Sequence, residues 1–346
     1  MKSSKLFILL TFCIVFLCLL FVSCGKSVKT VSISDFAMGS AVTAKLYGYN
    51  ENELGKLGVK GIIHTVDNNI SKNIEDSYIS RLNSSAGKGD GLELTSDIYG
   101  YIKQSADIYS LSGGRAAVAS GALTGLWGFD NDNFNLPSDE EIKNAQELCG
   151  DDKIIFNDTS ETVLLPFGYI LNLGSVGKGI ACDEAVDYFK SVPGCLTGAV
   201  VSVGGSIATF GTPPQGEKWS VGIRNPFGSE NNYFAVLSLD EAFVSTSGDY
   251  EKKFTADNGQ TYSHILDLTT GYPVKSDLTS VTVIAKTGLQ SDALSTLCFI
   301  LGKEDSLTVL KEYDAEAVFV YKDKTVYATD GIKSSLNITA DGFTLI

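Results

Sequence analysis

The chain has 346 residues, 27 basic against 41 acidic side chains, a formal charge of −14 and two histidines. A balance this acidic, with a pI near 4.6, excludes a nucleic-acid binder, which needs a basic face. Seven cysteines without CxxC spacing argue against zinc, and the length suits one large domain or two intimate lobes.

In chain order, Lys2 and Lys5 precede an apolar run from Leu6 to Val22, with Ser23 before Cys24. A charged start, an apolar middle and a small residue at the cut form a secretory signal. The run also approaches the ~20 residues that an uncleaved spanning helix needs. "FVSC" is similar to a bacterial lipobox, with Phe21 in the place usually held by leucine. That likeness implies a signal peptide at 1–23, a lipid on Cys24, a tether at 24–30 and a globular domain at 31–346. Such a chain is exported and anchored to the outer face of the bacterial cytoplasmic membrane, or is periplasmic.

Alternating residues on either side of Met38-Gly39-Ser40 predict two strands. Helical spacing over 52–70 predicts a helix carrying His64, read as a histidine of an amphipathic surface. A second helix starts near Ser96 and stops at Gly113-Gly114. The acidic stretch 130–150 reads as a surface excursion, and "TVLLP" and "YILNLGSV" as short strands. "GKGIACDEAVDYFKSV" reads as a helix opened by glycines, and "LQSDALSTLCFILG" as another. The stretches between 198 and 248, "SVTVIAK" and a closing hairpin supply further strands. Helices and strands mix without a βαβ repeat, so the fold class is α+β. Cys182 and Cys298 sit in apolar helical contexts as core thiols.

Three stretches carry chemistry. "LNLGSVGKGIACD" runs a strand into a glycine-rich turn at a helix start, where backbone N–H groups and Lys178 favour anions. In "SDALST", Asp292 and Thr296 share one helix face and offer hard oxygens suited to Mg²⁺. The alternative is that Asp292 only favours the helix start. In "HILD", His264 and Asp267 can serve one site, and imidazole is the side chain most ready to exchange protons near neutrality.

The ordered series "MGS" at 38, "SYISRLN" at 77, "GALTGLWGF" at 121, "NLGSVGKGIACD" at 172, "GGSIATFG" at 204, "STSGDY" at 245, "HILDLTTGYPV" at 264 and "DALST" at 292 resembles the ApbE family of FAD:protein FMN transferases. The resemblance implies an ApbE-type, T-fold-related arrangement of mixed sheets and packed helices. It implies Mg²⁺-dependent cleavage of FAD, with FMN moved to a threonine or serine of an acceptor flavoprotein carrying an FMN-binding domain, and AMP released. By similarity, Gly177, Asp292, Ser295 and Thr296 surround the metal. Met38, Gly174, Lys178, Ile180, Asp183 and Leu266 are expected around FAD, Asp183 either holding the nucleotide or stiffening the site. His264 and Asp267 handle the acceptor hydroxyl's proton.

The chain departs from the family pattern at three points. Arg115, Ala116 and Ala117 stand where the family usually has Ala-Phe-Asp, against FAD. Asn73 stands where an aromatic is frequent, which opens the site to water and leaves FAD pyrophosphatase activity as an alternative. Asn172 and Ser206 replace frequent carboxylates. A lipoprotein that binds FAD without chemistry is the third reading.

Overall fold

The computed structural model describes residues 27–129, 133–229 and 232–346. The signal sequence and Cys24 lie outside the described residues. A nine-stranded sheet forms the centre: β1 (Lys29–Ala37), β2 (Ser40–Gly48), β3 (Gly198–Val203), β4 (Ser206–Gly211), β5 (Phe243–Gly248), β6 (Leu278–Ala285), β7 (Glu316–Tyr321), β8 (Thr325–Ala328) and β9 (Thr344–Leu345). Spatial order follows chain order, antiparallel throughout except for the β8–β9 pair. The tether expected at 24–30 therefore overlaps β1, which begins at Lys29.

Side-chain alternation divides the sheet between two cores. Along β7, Ala317 and Phe319 face helices, while Val318 and Val320 face a three-stranded sheet of Trp219–Arg224, Tyr233–Leu239 and Leu336–Ile338. The helical side holds α1 (Val59–Ile70), α2 (Ser96–Ser110), α3 (Gly177–Ser191), α4 (Gly288–Leu301) and α5 (Lys303–Glu312). This is the expected α+β organisation. A third, aromatic cluster surrounds Trp127, whose indole N–H donates to the Gly271 carbonyl at 2.9 Å.

Three local expectations change. The helix expected at 52–70 is two, Glu51–Leu54 and α1, separated by a stretch holding Gly55 and Gly58. Residues 169–176 form no strand, because their main chain bonds across the fold instead. Leu171 N–H donates to Asn83 Oδ1 and Asn172 N–H to the Val118 carbonyl. The acidic excursion contains a helix, Asp139–Gln146, started by a capping box between Ser138 and Glu141. Cys182 and Cys298 are buried free thiols, as expected.

Helices α3 and α4 cross at Gly179 and Gly288. A Cβ on Gly179 would lie 2.0 Å from the Gly288 carbonyl oxygen and 2.8 Å from Asp292 Cβ. Backbone cannot yield as a flexible side chain does. Gly179→Ala is expected to cost about 3 kcal/mol or more, read as a lower urea midpoint with unchanged slope. A wild-type midpoint would mean that the crossing is looser than this.

Candidate active site

A cavity of about 500 Å³ opens where the β1–β2 turn, the first turn of α3, the end of β5, α4 and the 251–268 segment converge. Met38 and Gly39 form the two-residue turn with φ of +54° and +67°. A non-glycine residue at positive φ needs support, and the Met38 N–H donates to Asp67 Oδ2 at 2.9 Å. The Met38 side chain reaches Gly177 at the start of α3.

Asp292 is buried on the first turns of α4, and its Oδ2 accepts the Gly179 N–H at 2.9 Å. Residues four apart on a helix and two apart on a strand have similar spacing, so α4 and β5 can match hydroxyl to hydroxyl. Ser245 meets Ser291 at 2.8 Å, and Ser247 meets Ser295 at 2.8 Å and Thr296 at 3.1 Å. Ser295 also donates to the Asp292 carbonyl, so its hydroxyl is committed inside this ladder. Asp292, Thr296 and Gly177 line the cavity; Ser295 is buried behind them. Tyr109, also lining it, donates to Ser175 Oγ at 2.7 Å and ties the glycine-rich turn to α2. The Asp292 carboxylate holds the Lys178 ammonium above the usual lysine range.

His264 lines the same cavity as Asp292 and Thr296. Its Nδ1 lies 3.3 Å from the Lys252 carbonyl, which can only accept; Nδ1 therefore carries the proton and Nε2 keeps a free lone pair. Loss of water around the ring, and then the Lys178 charge, push its pKa down to about 4. Asp267 does not line the cavity. It accepts from Arg115 Nε at 2.8 Å and from the Thr269 N–H at 3.0 Å and hydroxyl at 2.6 Å. Burial would raise the Asp267 pKa, but those bonds outweigh it and hold the carboxyl below its ordinary range. Asp267 thus builds the turn after "HILD" and pins it to Arg115. Gly271 completes that turn at φ +73°, where a Cβ would also strike Ile142 at 2.2 Å.

The family model for ApbE matches residues 38–319, and a 263-residue stretch is 30% identical to the FAD:protein FMN transferase of Escherichia coli K12, over 74% of this chain and 73% of that one. The chain belongs to the ApbE family. The Treponema pallidum FAD:protein FMN transferase is 29% identical over 93% of this chain and 94% of its own length. The crystal structure of the Thermotoga maritima ApbE protein superposes with a TM-score of 0.78 at 27% identity, covering 89% of this chain and 99% of that one. The apo Pseudomonas stutzeri flavinyl transferase ApbE gives 0.75 at 26% identity, with 89% and 97% covered.

The positions read by likeness to ApbE proteins separate into two groups. Met38, Asn73, Ala116, Ala117, Gly174, Gly177, Lys178, His264, Leu266, Asp292 and Thr296 line the one cavity, together with Asn172. Arg115, Ile180, Asp183, Asp267, Ser295 and Ser206 do not. Ile180 is fully buried in the core, and Ser206, buried at the start of β4, accepts from the Ser245 hydroxyl of β5. Asp183 accepts from the N–H groups of Gly288 and Leu289, capping α4. Of its two expected roles, this geometry is the stiffening one. Glu251 and Tyr109 line the cavity and were not expected from sequence; Glu251 directly follows "SGDY", the only available signal.

Proposed function

We propose that this protein performs the reaction its relatives are named for, moving FMN from FAD to a threonine or serine hydroxyl of a flavoprotein acceptor and releasing AMP. The observation that supports this reading is one cavity lined by His264, with its Nδ1 engaged by the Lys252 carbonyl, and by Asp292 and Thr296. His264 orients the acceptor hydroxyl and takes its proton as the oxygen–phosphorus bond forms and the bond to AMP breaks. Arg115 and Asp267 position His264 by fixing the turn beyond it. The glycine-rich turn offers main-chain N–H groups to the nucleotide, and Lys178 offers charge.

The oxygen set suits Mg²⁺. Asp292 uses only Oδ2 internally, Thr296 adds a hydroxyl, and Gly177 borders them. Among the described residues no cluster of three or more His, Cys, Asp or Glu could hold a metal, so one carboxylate would share the ion with water and substrate phosphates, as Mg²⁺ commonly does. When bound, the ion supplies neutralisation of the diphosphate charge. Chelation is expected to abolish AMP release, and added Mg²⁺ to restore it; a rate indifferent to EDTA would remove the metal from this account.

The test of the whole reading is the intact mass of an FMN-acceptor domain after incubation with this protein, FAD and Mg²⁺. Added FMN supports transfer. Free FMN and AMP with an unmodified acceptor favour hydrolysis, a second reading kept by Asn73, an exposed residue of the cavity lining. Lipidation of Cys24 and attachment to the outer face of the bacterial cytoplasmic membrane, or a periplasmic location, complete the proposal. No helix among the described residues is long and apolar enough to span a bilayer.

A further inference from the structure

The chain around His264 has two main-chain edges, and one of them is only half paired. In an antiparallel ladder every second residue turns its N–H and C=O to the same edge. The Ala256 N–H donates to the Gln260 carbonyl, and the His264 N–H to the Lys252 carbonyl. Gln260, Tyr262 and His264 therefore face the strand Lys253–Thr255, while Thr261, Ser263 and Ile265 turn their main chain the other way. Ile265 has a partner there, because its carbonyl accepts the Val274 N–H beside the pairing of Leu266 with Pro273. Continued in that register, residue 276 would face Ser263 and residue 278 would face Thr261. The chain peels away before it reaches them. The Leu278 N–H donates to Ser276 Oγ at 3.0 Å, the Asp277 carbonyl accepts the Lys322 N–H at 2.8 Å, and Leu278 begins β6 of the central sheet. Thr261 and Ser263 are left with no strand beside this edge among the described residues. A notch of about 610 Å³ lies along it, walled by residues 260–263 and 272–277. Lys253, Lys275 and Lys322 line the notch against Asp249 and Asp277, one positive charge in excess within a chain of −14. Asp249 is attracted by Lys322 and Lys253, and the Lys322 ammonium also donates to the Ser276 carbonyl. Lys275 has no ion-pair partner among the described residues.

We infer that this notch docks the acceptor flavoprotein, which adds an extended, acidic segment as a strand along Thr261–Ser263. The inference rests on the proposed function for the identity of the partner. A free strand edge offers main-chain hydrogen bonds to any extended segment. Its N–H and C=O groups repeat every ~7 Å, the spacing of a partner strand rather than of a small ligand. The surplus lysine charge selects an acidic segment over a basic one. Position explains why the partner is the acceptor. The notch and the catalytic cavity share a wall: Lys253 and Ser263 line the notch, and their chain neighbours Lys252 and His264 line the cavity. A strand added ~4.8 Å from Ser263 lies beside His264 without filling the cavity that FAD needs.

The test is steady-state transfer by the full chain, with an FMN-acceptor domain varied at saturating FAD and Mg²⁺. Thr261→Pro removes one outward N–H, a change that an unpaired edge tolerates. Thr261→Val keeps that N–H and removes only the hydroxyl, which bonds Thr255 at 2.9 Å. Thr261→Pro is expected to raise KM for the acceptor by roughly three- to ten-fold, the worth of one hydrogen bond, with kcat and FAD affinity retained. Thr261→Val should stay at wild type. Lys253→Glu combined with Lys275→Glu leaves every strand bond in place; it should raise the same KM and flatten its rise with salt. A wild-type KM in both the proline and the charge variant would overturn the inference. Amide exchange decides it without turnover: the acceptor domain should slow exchange at Thr261 and Ser263 and leave Tyr262, already bonded, unchanged. Slowing that follows the enzyme's own concentration instead would give the edge to a second copy and overturn the inference. An acceptor that protects those two amides yet stays unmodified by wild-type enzyme would uphold docking and overturn the transferase reading.

Discussion

Asp292→Asn is expected to lower FMN transfer by about 10²- to 10⁴-fold, the several kcal/mol that a catalytic cation contributes. The substitution is close to isosteric, and the asparagine carbonyl can still accept the Gly179 N–H that Asp292 Oδ2 accepts at 2.9 Å. The crossing of α3 and α4 should survive, so thermal unfolding should be near that of wild type. What is lost is the one carboxylate charge that faces both Thr296 and Lys178. Steady-state AMP release across Mg²⁺ concentrations reads the effect. Activity within a few-fold of wild type would show that the metal is held elsewhere.

His264→Ala is expected to cut kcat by about 10²- to 10⁴-fold while leaving FAD binding nearly intact, because main-chain N–H groups of the glycine-rich turn and the Lys178 charge remain in the cavity. Its pH behaviour follows from the same burial. In the folded protein the imidazole pKa is pushed to about 4, against an ordinary value of 6.5. Between those values the unfolded chain binds a proton that the folded chain does not. Stability from this group is therefore complete above pH ~6.5 and is lost as pH falls toward 4. Unfolding midpoints from pH 7 to 4 should drop less in His264→Ala than in wild type. Equal slopes would mean that the ring is already solvated. A transfer rate unchanged by the substitution would end the proton-acceptor role.

Much of this was readable in the sequence because local rules and fold agree there. Alternation gave the strands of the sheet, and four-residue spacing put Asp292 with Thr296 on one side of α4. The partnership of His264 with Asp267 was less accessible. Three residues apart, they seemed placed for one task, but the strand pairing Leu266 with Pro273 turns Asp267 toward Arg115, 152 positions away. The Arg115 guanidinium comes from a loop whose role no local pattern announces. Asp183 is similar: on the helix after the glycine-rich turn its carboxylate reads equally as a nucleotide ligand or a stiffener, until the close passage of Gly179 by Gly288 brings it the N–H groups of Gly288 and Leu289. Residues 169–176 looked like a strand because they are apolar and extended. Their hydrogen bonds go to Asn83 and Val118 rather than to a neighbouring strand, a choice made by tertiary placement alone.

The hairpin of β1 and β2 has a geographical consequence. With lipid on Cys24, residues 25–28 extend at most about 14 Å, and the nine residues of β1 add roughly 30 Å before the Met38–Gly39 turn at the cavity. The chemistry would then be leashed to within about 45 Å of the bilayer surface. Acceptors anchored in the same membrane would fall inside that shell, whereas a freely diffusing flavoprotein would have to come down to it.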